Sequence, residues 1–242
     1  MPLKKSEGNM YAWVTHTHSH LAGKCPHECV YCYVSQMAKK FPNMRARYSG
    51  PIRLIEDELN VDYGTDKTIF VEHMGDLFAE AVPARLRSQI LEHCRQWPEN
   101  TYVFQSKNPY GMVHEFDEGF MPAKPIIGTT VETNYSTFDN HRIWNPRTPI
   151  PMLRLDEMLH MHLYFPTVKT FVTIEPILDF DLLFFSCAII QARPSWVNIG
   201  ADSKSSGLPE PKWAKVEALI DALTKAGIEV RQKTNLDRLK SK

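Results

Sequence analysis

The chain has 242 residues, 43% of them hydrophobic, and its 28 lysines and arginines are matched by 28 aspartates and glutamates. A formal net charge of zero excludes a protein that coats nucleic acid through a broad basic field, because affinity of that kind rests on many phosphate contacts. A local basic patch stays open, and the length suits one large domain over residues 1–242, the size at which α/β barrels commonly fold as a unit.

Met1 to Asn9 read as a polar lead-in without the basic start, apolar run and cleavage site of a signal peptide. Tyr11 to Thr17 is a first strand by its Tyr, Trp, Val and Thr content. His16, His18 and His20 alternate, so on a strand all three would face one way. A His-x-His pair on a first strand also opens metal-hydrolase barrels, which makes a metal-dependent hydrolase using His16 and His18 an alternative reading.

Three thiols follow inside the stretch Cys25-Pro26-His27-Glu28-Cys29-Val30-Tyr31-Cys32. A thiolate is a soft ligand, and three this close can converge on one metal centre with little chain to order. A [4Fe-4S] cluster held by three cysteines keeps one iron free of protein ligands, able to bind a small molecule. Zinc also takes cysteines at such spacings, with His20 or His27 as a fourth ligand, so a zinc-stabilised binding module is a second alternative. Five cysteines in all make a poor disulfide framework and suit a reducing compartment. Cys94 and Cys187 lie in apolar contexts and are expected to be packing residues.

A helix is expected from near Cys32 to Lys40, then a second strand over Lys67 to His73. Pro83 opens a helix whose Leu86, Ile90, Cys94 and Trp97 recur at helical spacing. Strand three is Thr101 to Gln105, followed by a short helix near Tyr110 to Phe116; strand four is Pro125 to Val131, followed by a helix over Leu153 to Leu163. Val168 to Ile174 is strand five. Phe180 to Gln191 is apolar all round, and its length predicts a buried helix; its longest apolar run, Leu182 to Ile190, is broken by Ser186 and is far short of a membrane span. Trp196 to Ile199 is strand six, Pro211 to Ala226 a helix ended by Gly227, and Ile228 to Arg231 a short final strand. This alternation implies parallel βαβ units. Six units in this length predict an α/β fold, a partial (β/α)6 TIM-like barrel with parallel strands.

The carboxyl ends of barrel strands share one face, where chemistry concentrates. Strand two ends in Glu72-His73-Met74-Gly75-Asp76, strand three in Ser106-Lys107-Asn108 and strand four in Thr130-Val131-Glu132. Strand five ends in Glu175-Pro176, and strand six in Asn198-Ile199-Gly200-Ala201-Asp202. Lys107 could meet a carboxylate or phosphate, or simply be solvated.

The Cys-x3-Cys-x2-Cys spacing with Tyr31 before the third cysteine resembles the cluster loop of radical S-adenosylmethionine (SAM) enzymes. The strand-end pattern from about residue 11 to 235 also looks like an uncharacterised branch of that superfamily often encoded by bacteriophages and mobile elements. The resemblance implies a [4Fe-4S] cluster on Cys25, Cys29 and Cys32, and SAM bound to the open iron. It implies reductive cleavage of SAM to a 5'-deoxyadenosyl radical, which abstracts a hydrogen atom from the substrate. By the same resemblance Tyr31 packs near the adenine, Gly75 and Asp76 hold the methionine end, and Thr130 and Glu132 contact the ribose, with Asn198 a further cofactor contact. An electron donor such as flavodoxin or ferredoxin is the expected partner, and the expected compartment is the cytoplasm, with no membrane.

Two long connections leave the same face. Thr133 to Pro151 carries Tyr135, Phe138, His141, Arg142, Trp144 and Arg147, an interleaving that can stack on bases and pair with phosphates, or can be a packed surface loop. Ser203 to Pro211 has the small, polar composition of a mobile lid. A small molecule, or a nucleotide or nucleic-acid base, is the expected substrate.

Overall fold

The structure is a computed structural model that describes residues 3–8, 10–136, 143–203 and 206–240. Its strands in chain order are β1 (Lys4–Lys5), β2 (His16–His18), β3 (Leu21–Ala22), β4 (Arg53–Leu54), β5 (Thr68–Val71), β6 (Thr101–Ser106), β7 (Pro125–Thr130), β8 (Lys169–Ile174), β9 (Trp196–Ile199) and β10 (Glu229–Gln232). The helices are α1 (Tyr33–Lys40), α2 (Pro42–Arg47), α3 (Ala84–Arg95), α4 (Pro109–Asp117), α5 (Pro151–Tyr164), α6 (Leu182–Gln191) and α7 (Trp213–Lys225). Eight strands form one sheet in the order β1-β2-β5-β6-β7-β8-β9-β10. Within this sheet all neighbours from β2 onward pair in parallel, and only β1 pairs antiparallel, Lys4 opposite Thr17. The expected α/β partial barrel is therefore the fold, with spatial order in the sheet following chain order.

Alternation within each strand divides the molecule into two apolar layers. Ile69, Tyr102, Phe104, Ile127, Val172 and Val197 point outward into one core with Ile90, Met158 and Leu219 of the helices. Phe70, Val103, Phe171 and Trp196 point the other way and meet Tyr11 and Val14. Each such side chain contributes about 1.5–3 kcal/mol by leaving water. On this inner face Phe171 and Trp196 stack 5.3 Å apart, and Trp13 meets both edge-on. Gly128 makes room for them: a Cβ there would stand 2.2 Å from the Phe171 ring.

Several expectations change. Met1 to Asn9 is more than a lead-in, since Lys4 and Lys5 add an edge strand. Tyr11 to Thr17 is strand only from His16 onward; Tyr11 and Trp13 instead plug the inner face, where aromatic burial outweighs their propensity for pairing. The stretch between α1 and β5, unread in the sequence, forms α2, a β3–β4 ribbon and a 3₁₀ turn over Glu56–Asn60. The helix α6 exists but is buried on one side only: Phe185 and Ile189 are inside, while Leu183, Phe184 and Cys187 are exposed, so Cys187 is not a packing residue. Cys94 is buried as expected. Among the described residues no helix is long and apolar enough to cross a membrane.

Candidate functional site

The cysteine stretch leaves the sheet between β3 and α1, at the carboxyl end of the parallel strands. Gly23 starts it with φ of +102° and with Pro51 O only 2.3 Å from where a Cβ would be, so no other residue fits the entry turn. The loop is tied down from outside as much as from within. Cys32 N donates to Cys29 O (3.0 Å), but Val30 N donates to Ile143 O (3.0 Å) and Asn145 N to His27 O (2.7 Å). Trp144 and Ile143 form a small apolar cluster with Leu178, and Cys29 and Tyr31 pack against it.

Two buried carboxylates anchor the loop at its ends. Asp76 Oδ2 lies 2.7 Å from His27 Nε2 and accepts from Lys107 N (2.8 Å); its Oδ1 accepts from Ser106 Oγ (2.7 Å) and Phe78 N (3.0 Å). Burial alone would raise the Asp76 carboxyl, but His27 and these donors hold it below the usual carboxylate range. The other nitrogen of His27 is 2.8 Å from Thr148 Oγ1, so the histidine bridges Asp76 to the long connection after β7. Glu132 is fully buried and takes the Tyr31 hydroxyl on Oε1, Lys107 Nζ at 3.3 Å and Arg154 Nη1 at 3.0 Å. Against the upward pull of burial, Arg154 and Lys107 keep its carboxyl low.

Lys107 thus meets a carboxylate rather than solvent, and its ammonium stands 5.4 Å over the Tyr31 ring. Burial would lower its pKa, but Cys29 and Glu132 outweigh burial and raise it. Arg154 was not singled out in the sequence. It lies on the buried side of α5 with Leu155 and Met158, holds Thr130 O (2.7 Å) and Pro149 O (2.7 Å), and sits 4.6 Å over Trp144. An arginine among apolar helix positions was the available signal.

Cys25, Cys29 and Cys32 are half-buried, and the Cys25 thiol is pushed well up by burial, by Asp76 and by the two neighbouring cysteines. Cys29 is raised by burial, with Lys107 acting against it. The thiols are therefore close enough to feel one another's charge, with a lysine placed to offset it. The three sulfurs do not all lie within 4.8 Å of one another, a condition that only His18, His20 and His93 satisfy among the described residues. A single tetrahedral zinc with bonds of about 2.3 Å needs sulfurs roughly 3.8 Å apart. A cubane presents a separate iron to each thiolate, and three thiolates with Lys107 beside one of them are a donor set that a [4Fe-4S] cluster accepts.

Gly75 closes the turn after β5 (N to Glu72 O, 3.0 Å) and has open space where a side chain would stand. With Cys25, Asp76 and Glu72 it lines a cleft beside the loop. Thr130 and Asn198 belong to a polar chain across the inner face: Gln105 donates to Thr130 Oγ1 (2.7 Å), Tyr11 to Gln105 (2.8 Å), and Asn198 to Thr173 (3.1 Å), which bonds Tyr11 (2.7 Å). Glu175 and Asp202 sit farther along the strand ends, Glu175 with Lys233 and Asn235, Asp202 with Ser206.

The three histidines do not act together. His16 is partly exposed beside Thr15 (2.9 Å), while His18 and His20 are buried with other partners, so His16 and His18 make no common site. In the connection after β7, Trp144 is packed, and Phe138, His141 and Arg142 lie outside the described residues. Ser203 is described in the later connection, as is Ser206 onward.

Solved structures share this architecture at low identity. A single-site variant of spore photoproduct lyase aligns with TM-score 0.61 and 10% identity over 96% of this chain and 80% of that one. Another variant of that lyase, with bound AdoMet and dinucleoside spore photoproduct, gives 0.53 and 10% over 93% and 66%. SuiB of Streptococcus suis bound to S-adenosylmethionine gives 0.50 and 9% over 89% and 45%. These are radical SAM enzymes with barrel-like (β/α) folds, and the likeness shows that this chain has that fold. No curated protein is similar enough to match. A family model described as a protein of unknown function, DUF5131, matches residues 9–230, and the chain belongs to that family.

Proposed function

We propose that the chain is a radical SAM enzyme that holds a [4Fe-4S] cluster on Cys25, Cys29 and Cys32. The observation that carries the reading is the three-thiol loop, clamped by Asp76 through His27 and by Glu132 through Tyr31, at the carboxyl end of a parallel barrel. When bound, the cluster supplies the electron that cleaves SAM to methionine and a 5'-deoxyadenosyl radical. The remaining work belongs to the chain. The Asp76 oxygens are taken by four donors, so its role here is to position His27 and the loop, while Gly75 leaves room beside Cys25 for the methionine end. Lys107 offsets thiolate charge at Cys29. Thr130 accepts from Gln105 and retains its own hydroxyl hydrogen to donate, which suits a ribose contact alongside Asn198. Glu132 holds Tyr31 in place for the adenine. The aromatic floor of Tyr11, Trp13 and Phe171 excludes water from below.

A nucleotide or nucleic-acid base is the proposed substrate class, supported by the fold neighbour with a bound dinucleoside spore photoproduct; a flavodoxin or ferredoxin is the proposed electron donor. Five cysteines without the pattern of a disulfide framework support a reducing compartment such as the cytoplasm. The strand-end motifs support a place in the phage-associated branch. Purified without oxygen, the protein should be brown with about four irons and four sulfides per chain. Dithionite and SAM should then yield 5'-deoxyadenosine. Colourless protein with zinc on the cysteines would overturn the reading.

A further inference from the structure

Glu72, which lines the cleft beside Cys25, also touches a buried knot of side chains that the proposed reaction does not use. His18 and His20 come from β2 and the turn after it, Tyr63 from the segment following the 3₁₀ turn, and His93 from α3; all four are buried. Each histidine has one ring nitrogen against an acceptor: His18 Nε2 on Glu58 (3.0 Å), His20 Nδ1 on Glu72 (3.0 Å) and His93 Nε2 on Val61 O (2.9 Å). Carboxylates and carbonyls only accept, so these nitrogens carry the ring hydrogens and the others are bare lone pairs. The bare nitrogens converge. His18 Nδ1 is 2.6 Å from Tyr63 Oη, which is 3.1 Å from His20 Nε2, which in turn is 3.0 Å from His93 Nδ1.

With Glu72 ionised, hydrogen bonding does not close this knot. Its six contacts draw on four hydrogens, three from neutral rings and one from the phenol, so two contacts set lone pair against lone pair in a dry interior. A cation at the meeting point removes the conflict. Tetrahedral bonds of about 2.0–2.1 Å place ligand nitrogens roughly 3.3 Å apart, near the spacings seen. Histidines that bind metals donate their remaining N–H to a carboxylate or carbonyl, as all three do here.

Charge points the same way. Buried Glu58 is matched by Arg47 at 3.0 Å, but the ion-pair partner of Glu72 is His20. A dication facing Glu72 and a Tyr63 phenolate is neutral overall. Glu72 also has φ of +57°, a strained conformation that turns its carboxylate back to the His20 and Leu21 amides at the root of the cysteine loop. His93 borders a surface groove with Leu59, Ser88, Gln89, Glu92 and Gln96, which gives an ion a way in.

We propose that His18 Nδ1, His20 Nε2, His93 Nδ1 and Tyr63 Oη form a closed site for a divalent, zinc-type metal ion that ties β2, the 3₁₀ segment and α3 together beneath the cysteine loop. Four protein ligands and no open position make it structural rather than catalytic. The test uses the full chain in two forms, wild type with its cluster reconstituted and a Cys25→Ala/Cys29→Ala/Cys32→Ala variant, each stripped of loosely held metal and titrated with zinc chloride and with cobalt(II). Both forms should take up about one ion per chain with a rise in Tm. Cobalt(II) in the cysteine-free form should show visible bands of tetrahedral coordination without a thiolate charge-transfer band. Glu58→Gln should weaken zinc affinity by about ten- to hundredfold by releasing His18, and His93→Gln by more. Uptake that vanishes with the cysteines places the ion on the loop and overturns the proposal. So does failure of the reconstituted wild type to bind zinc, or a His93→Gln variant that binds as wild type does. The wild-type titration decides the matter even where a variant fails to fold.

Discussion

The cysteine loop and the histidine knot lie on either side of Glu72 and are built to opposite plans. The loop takes three thiols from eight consecutive residues, keeps them half-exposed, and relies on distant carboxylates to hold it. The knot gathers its side chains from three separate segments and buries them all. An incomplete, accessible set suits a centre that must accept a small molecule, whereas a complete, enclosed set suits one that holds structure. The contrast also explains why the loop's own hydrogen bonds are few: its rigidity comes from Asp76 and Glu132 rather than from its turn.

The largest effect that would break this contrast is chemical. Cys29→Ala should lose the brown colour and bring 5'-deoxyadenosine to background while leaving zinc uptake at the knot unchanged; a variant that still cleaved SAM would show that the ligand set is wrong. Next, Arg154→Met removes one of the two cations on buried Glu132 and leaves Lys107 at 3.3 Å, so it should cost less in urea unfolding than the about 3–5 kcal/mol of a buried charge left with no partner. Adding Glu132→Gln should recover part of that loss.

Acid should separate the two regions without mutation. In metal-free protein, burial lowers His18 to about 4 and His20 to about 3, against 6.5 for the ordinary side chain. The unfolded chain then binds more protons, so the histidine contribution falls as pH drops from 6.5 toward 4. Glu72, raised to about 7 by burial from 4.5, runs the other way over that interval and offsets one proton of this histidine effect, to which His73, lowered to about 4, and His93, also lowered by burial, add. Asp76 and Glu132 are held below their ordinary values of 3.8 and 4.5, so their stabilisation persists above those values and is lost only at lower pH. Urea unfolding across this range should show two separate losses, with zinc moving the first to lower pH because metal and proton compete for the same nitrogens.

Smaller effects belong to the loop's entry. Gly23→Ala should cost about 1–3 kcal/mol, since it combines a positive φ with a clash on Pro51. Lys24→Ala breaks an exposed pair with Glu28 and should change stability by no more than about 0.5 kcal/mol.

Much of the scaffold was legible because strand and helix periodicity are local properties: most predicted elements from α1 onward coincide with the observed ones within a few residues. The misreadings fall where tertiary contacts overrode local preference, as when Tyr11 and Trp13, good strand residues, became the floor of the barrel. Lys107 looked like a solvated lysine until the fold set it between Cys29 and Glu132. Arg154, Tyr63 and His93 carried little local signal, because nothing in their own segments names their partners.

The amino-acid sequence by itself determined the thiol spacing, the alternation of strands and helices, and the polar residues at the strand ends, since these depend on neighbours a few residues apart. Only the tertiary structure decided which of those residues meet. His27 and Asp76 are 49 residues apart, and Tyr31 and Glu132 are 101. Parallel pairing brings such residues to one edge because every strand must end on the same side, and burial then selects the partners that leave no charge alone.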